Sequence, residues 1–271
     1  MVGLLLALQV AAAVPAPSRA ERDLAGLRER VIRAAPAHRD RARLYLYLET
    51  VTVYEPGSGE EWVPRPSRTY RVFPVESFLY RRLVGIGGLP LDDRQERREQ
   101  AREEEFRRRR QGFEEPEGGR WRRILRLEDF VSNYEYRLLG TESLDGREAI
   151  VLDFQPGEWK ADLAGPLDRI LRKLGGRIWI DSADFQVVRV EGTLRAKVRW
   201  GLGLVASLNS LELELSQRKV NGEAWLPEEV VYRAEGTTFL IGRLRKRSLS
   251  RFHDYRRIDP LLGPGAAATS P

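Results

Sequence analysis

The sequence predicts a mainly β (α+β) fold in one domain, and three observations carry that prediction. Apolar residues recur at every second position, as in Leu44, Leu46 and Leu48, with Val51 and Val53 continuing the run. Asp145-Gly146 and Asn221-Gly222 each separate two such stretches, and these dipeptides are the strongest short signals for a two-residue hairpin turn. Helical periodicity, by contrast, is confined to a few segments. At 271 residues with 42 % hydrophobic content, the chain is large enough for one sizeable core.

The elements follow in order. Met1 to Val14 is apolar and carries no charged side chain, and Ser18-Arg19-Ala20 offers the small residues of a cleavage site. It is shorter than the roughly 20 apolar residues that span a bilayer. Residues 1–20 therefore read as a signal peptide cleaved near Ala20, and the mature chain as exported. Glu21 to about Ala35 reads as a helix, with Leu24, Leu27 and Val31 at helical spacing and Pro36 ending it. Leu44 to Val53 is a long strand, Glu55 to Gly59 a turn, and strands follow at 68–73 and 77–84. Gly85 to Pro90 is a flexible break. Asp92 to Arg110 carries 8 Arg and 7 acids, and Glu103–Arg107, Glu104–Arg108 and Glu105–Arg109 are spaced one helical turn apart. This charged helical insertion, about 91–112, reads as mobile and outside the core. A short amphipathic helix is expected at 123–131.

Strands at 134–139 and 148–154 form a hairpin around Leu144-Asp145-Gly146. Leu163 to Leu174 reads as a helix stopped by Gly175-Gly176. Strands at 177–181 and 186–194 turn at Ser182-Ala183-Asp184. Further strands are expected at 197–202, 208–217, 225–232 and 237–244, with an edge strand at 250–258. The domain runs from 21 to 258, and the Pro-, Gly- and Ala-rich stretch 259–271 reads as a disordered tail.

Composition excludes several function classes. With no cysteine there is no disulfide, no thiol chemistry and no acylated N-terminal Cys. His38 and His253 are the two histidines, too few for a His-based metal site without a converging carboxylate. No Ser stands in a nucleophile elbow, and Gly85-Ile86-Gly87-Gly88 lacks the Lys-Ser/Thr of a phosphate loop. Nothing here assembles an enzyme site, and no cofactor is expected. The net charge of +6 comes almost wholly from Arg, and the acids of 92–110 nearly cancel its basic residues. Nucleic acid is therefore not the expected partner.

Three segments carry a family resemblance: Tyr136 to Arg147, Gly176 to Arg189 with its Ile-Trp-Ile-Asp-Ser-Ala-Asp core, and Asn221 to Pro227. Taken in this order after an N-terminal helix, they resemble the periplasmic LolA/LolB/RseB-like superfamily of outer-membrane lipoprotein-sorting proteins and their relatives, over about 21–257. The resemblance implies a single curved antiparallel sheet forming an open half-barrel, with helices covering the concave face and acyl chains bound between them. No counterpart of 92–110 is evident in that pattern, and no binding residue is carried over.

Candidate ligand-binding residues come from strands with large apolar groups on both faces, because a sheet covered on one side needs only one. These are Tyr45, Tyr47, Val51, Trp179, Trp200, Tyr232 and Phe239. The bland alternative for each is ordinary core packing beneath the helices. The sequence therefore points to a monomeric, non-enzymatic periplasmic protein that binds a lipid or an acylated protein, with the charged helix as a lid or docking surface. The alternative is a sensor or interaction module, resembling RseB, that binds the periplasmic segment of a membrane protein.

Overall fold

A computed structural model describes residues 19–59, 61–75, 78–110, 133–158, 166–200, 205–238 and 242–258. Residues 1–18 of the stretch 1–20 read as a signal peptide, the helix expected at 123–131, Phe239 and the stretch 259–271 lie outside the described residues, while Arg19 and Ala20 open α1. The chain opens with α1 (Arg19–Ala42) and continues through β1 (Tyr45–Pro56), β2 (Trp62–Pro64), β3 (Arg68–Val75), β4 (Phe78–Ile86) and β5 (Leu89–Pro90). Next come α2 (Asp93–Arg110), β6 (Tyr134–Leu144), β7 (Arg147–Pro156) and α3 (Pro166–Leu171). Then follow β8 (Leu174–Asp181), β9 (Val187–Leu194), β10 (Val198–Trp200), β11 (Ala206–Val220), β12 (Ala224–Thr238) and β13 (Gly242–Arg257).

All described strands join one antiparallel sheet that does not close into a barrel, consistent with a curved half-barrel. Its order is β5-β4-β3-β1-β13-β12-β11-β9-β8-β7-β6, with β2 on β1 and β10 on β11. Each half is a run of hairpins, and the halves meet where the first strand pairs with the last. The hairpin turns are where the sequence placed them: Asp145 and Gly146, and Asn221 and Gly222, all have positive φ.

Register fixes the two faces, since opposed residues in a ladder point the same way. Tyr47 opposes Val72. Four residues along β1, and so on the same face, Val51 opposes Ser250, which opposes Val230. Val230 opposes Leu215, which opposes Val190, and Val190 opposes Ile178. Ile178 packs beneath Leu27 and Val31 of α1, so this is the α1 face. Phe73 and Tyr80, opposed to one another, lie on the other face.

Several expectations are corrected. Pro36 does not end the first helix; it lies inside α1, which runs six residues further to Ala42. A proline costs the helix one backbone bond, but buried Ala35 and His38 on the following turn hold the chain against the sheet. Gly175 and Gly176 do not stop a helix; both lie in β8. A Cβ on Gly176 would stand 1.9 Å from the Glu191 carbonyl oxygen, so glycine permits close approach of β9. The three short strands expected over 225–258 are two long ones, Ala224–Thr238 and Gly242–Arg257. Gly236, which resembles a break, is interior to β12, where a Cβ would meet the Ser207 carbonyl oxygen at 2.0 Å. Gly85 to Pro90 is no open break but a tight β4–β5 hairpin turning at Gly87-Gly88.

The charged helix is also corrected. Its acids bind β4: Arg82 pairs with both Glu96 and Glu103, and the Leu83 N–H donates to Glu99. Phe106 packs its ring 4.8 Å from Tyr80 and 6.4 Å from Phe78. These contacts place α2 on the face opposite α1. Only one of the two long helices therefore covers the expected face.

Candidate functional site

The N-terminal half of α1 crosses β6–β9, and between them lies a cavity of about 440 Å³. Its walls are Leu24, Leu27, Val31 and Ile32 from the helix, and Tyr134, Tyr136, Leu152, Ile178, Ile180 and Val187 from the sheet. The helix residues follow a period near 3.6 and the strand residues a period of two, so each element offers one apolar face. Exposed Ala25, Arg28 and Glu29 stand at the rim. Burial holds the phenols of Tyr134 and Tyr136 well above their ordinary titration range, so both line the cavity as neutral groups. The Tyr134 hydroxyl donates to the Leu171 carbonyl at 2.7 Å, and its ring meets Phe154 edge-on at 5.3 Å. That contact ties α3 to the cavity wall. A volume of this size falls within the roughly 300–1,000 Å³ of small-molecule pockets.

A polar node holds α1 in place. His38 Nε2 lies 2.9 Å from the Asp184 carbonyl oxygen; a carbonyl only accepts, so Nε2 carries the proton. Asp184 sits in the β8–β9 turn, and its carboxylate accepts from Arg147 at 3.1 Å, Lys219 at 2.6 Å and the Trp225 indole at 2.8 Å. Beside it, buried Asp181 takes two hydrogen bonds from Arg147 and the N–H groups of Ala183 and Asp184. Desolvation works to raise both carboxyls. Arg147 and the Asp184 N–H outweigh it at Asp181, and Lys219 and Trp225 at Asp184, so both finish below the ordinary carboxylate range. The turn signature Asp181-Ser182-Ala183-Asp184 thus acts as an anchor for the helix that roofs the cavity.

Of the residues singled out from sequence, the described ones are not among those lining this cavity, and Phe239 lies outside the described residues. Tyr45 is fully buried in a cluster with Ala224 and Leu226; its hydroxyl donates to Glu223 at 2.6 Å and accepts from Asn221 at 3.0 Å. Tyr47 packs against Phe252 and Tyr255, and burial pushes its phenol up to about 12. Val51 and Tyr232 are half-buried on the α1 face, separated by Ser248 and Ser250 of β13. Trp179 lies on the opposite face, buried with Val151 and Val188, its indole N–H donating to Glu142 at 2.9 Å. Trp200 is half-buried on β10, and its buried Nε1 has no partner among the described residues. Among the described residues, the register places Tyr47, Val51 and Tyr232 on the α1 face and Trp179 on the other.

The sequence reading expects helices over the sheet with a ligand between them, but it names no helix residue among its candidates. The signal was present in Leu24, Leu27 and Val31, and in the alternation of Tyr134 and Tyr136. Neither segment is apolar on both sides, which was the criterion applied.

No family model matches the chain, and none of the curated proteins matches it. Among solved structures, it is similar to a DUF1329 family protein from Desulfovibrio piger, at 13 % identity and a TM-score of 0.32, covering 86 % of this chain and 92 % of that one. It is similar to a putative outer membrane lipoprotein-sorting protein domain from Vibrio parahaemolyticus, at 11 % identity and TM-score 0.31, covering 89 % and 98 %. It is also similar to a chain of the Pseudomonas aeruginosa MucA/MucB complex, at 12 % identity and TM-score 0.24, covering 88 % and 99 %. The likeness is distant, and no residue role is carried from them to this chain.

Proposed function

We propose that this chain is an exported, non-enzymatic binding protein that holds the acyl chain of a lipid or of an acylated protein between α1 and β6–β9. The cavity is the observation that carries the reading. Ten of its lining residues are aliphatic or neutral aromatic side chains of the core, and the charged ones stand only at the rim. Such a lining rewards a long apolar chain, at about 0.8 kcal/mol for each methylene taken from water, and offers no specific partner to a polar substrate. Export rests on the apolar run 1–14 and the small residues of 18–20. Among the described residues no helix is long and apolar enough to cross a membrane. Val51 and Tyr232 extend the same face and are proposed as contacts for a ligand longer than the cavity.

The decisive experiment is mass spectrometry of a solvent extract of the mature protein, purified from a periplasm without detergent. A stoichiometric lipid or fatty acid is the expected result. Ala25→Trp provides the paired test, because Ala25 is exposed on the helix yet lines the cavity, so a larger side chain there blocks the site without disturbing the core. Binding of a fluorescent fatty acid should fall at least tenfold, a change of about 1.4 kcal/mol, with an unchanged circular dichroism spectrum. A clean extract together with no fatty-acid binding sinks the acyl reading. It would favour the sensor-type alternative, for which edge strand β6 with its exposed Leu138 and Leu139 is the available surface.

A further inference from the structure

The face opposite the cavity carries a basic and aromatic patch that acyl binding does not use. β13 lies in the middle of the sheet, yet over Gly242–Arg257 it carries seven Arg or Lys against one acid, Asp254. Ser248 and Ser250 belong to the α1 face, so Arg243, Arg245 and Arg247 alternate onto the opposite one. There Arg247 stands directly across the ladder from Arg233. Like charges opposed in this way repel.

The fold deals with its two opposed arginine pairs differently. Arg71 opposes Arg82 on this face, and α2 neutralises Arg82 with Glu96 and Glu103. Around Arg233 and Arg247 the ion-paired acid is Glu235, shared between Arg233 at 2.9 Å and Arg245 at 3.9 Å. Glu212, across the ladder from Arg233, bounds the patch on the β11 side. Aromatic rings take up the remainder: Trp62 lies 5.6 Å from the Arg233 guanidinium and 5.1 Å from that of Arg245, and Tyr54 lies 5.0 Å from Arg247. Trp62 sits on β2 opposite Pro56, on the same face as Tyr54.

We propose that this patch docks the protein onto an anionic lipid surface. The guanidiniums of Arg233, Arg243, Arg245 and Arg247 would meet headgroup phosphates, which relieve their mutual repulsion. Trp62 and Tyr54 would sit at the headgroup boundary, where an aromatic ring with an apolar body and a polar edge is favoured. An acidic protein would answer the charge but would leave the Trp62 indole without a matching apolar boundary. The proposal does not depend on the cavity being an acyl site.

The test is co-sedimentation of the mature protein with phosphatidylcholine vesicles, with and without about one-third phosphatidylglycerol. Binding is expected to the anionic vesicles, to weaken steadily with salt, and to shift Trp emission to the blue. The variant Arg245→Gln/Arg247→Gln should lower the partition coefficient about 25-fold while keeping its circular dichroism spectrum and its fatty-acid binding. Four outcomes overturn the proposal: equal binding to neutral vesicles, an unaffected double variant, displacement by millimolar inorganic phosphate at fixed ionic strength, and binding to polyglutamate but not to vesicles.

Discussion

Asp184 accepts hydrogen bonds from side chains on three different strands, β7, β11 and β12, while its own carbonyl holds α1. Its loss would leave Lys219 in a partly buried site without its counter-charge and Arg147 with Asp181 alone. Replacing Asp184 by Ala is expected to cost about 2–3 kcal/mol, seen as a lower urea midpoint with unchanged slope. The same two carboxylates set an acid limit. Both titrate lower when folded than when unfolded, so the unfolded chain binds protons first as pH falls. Their contribution is complete above the unfolded carboxylate value near 4 and is lost as pH drops below it towards the folded values. Stability measured by urea should be level from pH 7 to 5 and fall below pH 4. Asp181→Asn/Asp184→Asn should be less stable at neutral pH and show a shallower fall.

At the level of elements, the two long helices do different work. α1 is amphipathic and roofs the cavity through Leu27 and Val31, and Arg30 stacks its guanidinium 4.8 Å from the Phe185 ring. α2 is almost entirely charged, but it is held by Phe106 and by ion pairs to Arg82 on the other face. A lid over the cavity is therefore the wrong role for it. Phe106→Ala should destabilise the protein by about 1–3 kcal/mol through lost contact with Tyr80 and Phe78. It should leave the affinity for a fluorescent fatty acid unchanged. A variant that loses fatty-acid binding while remaining folded would refute this separation of roles.

For the whole molecule, the pairing of β1 with β13 is the decisive contact. It joins the first strand to the last along nine opposed residue pairs, so neither half presents a finished sheet without the other. Buried Glu49 belongs to this seam, with its carboxylate 2.6 Å from Arg81 of β4. Unfolding should therefore be a single transition, with far-ultraviolet circular dichroism and Trp fluorescence giving the same midpoint in urea. Separate midpoints would show that the two halves are independent units.

The sequence alone determined the local grammar: strands with a period of two, Asp-Gly and Asn-Gly hairpins, the apolar stripe of α1 and the helical pairing in α2. These depend on neighbours within a few residues, where periodicity and turn chemistry act directly. The tertiary structure decided the rest. Whether Pro36 ends a helix depends on the burial of Ala35 and His38. Whether Gly176 and Gly236 break a strand or admit a neighbouring backbone depends on β9 and β11, which lie far along the chain or across the sheet. The cavity combines helix residues 24–32 with strand residues more than a hundred positions away, and no single stretch shows that juxtaposition. Local patterns fix which face of each element is apolar; only the assembled sheet decides which of those faces meet.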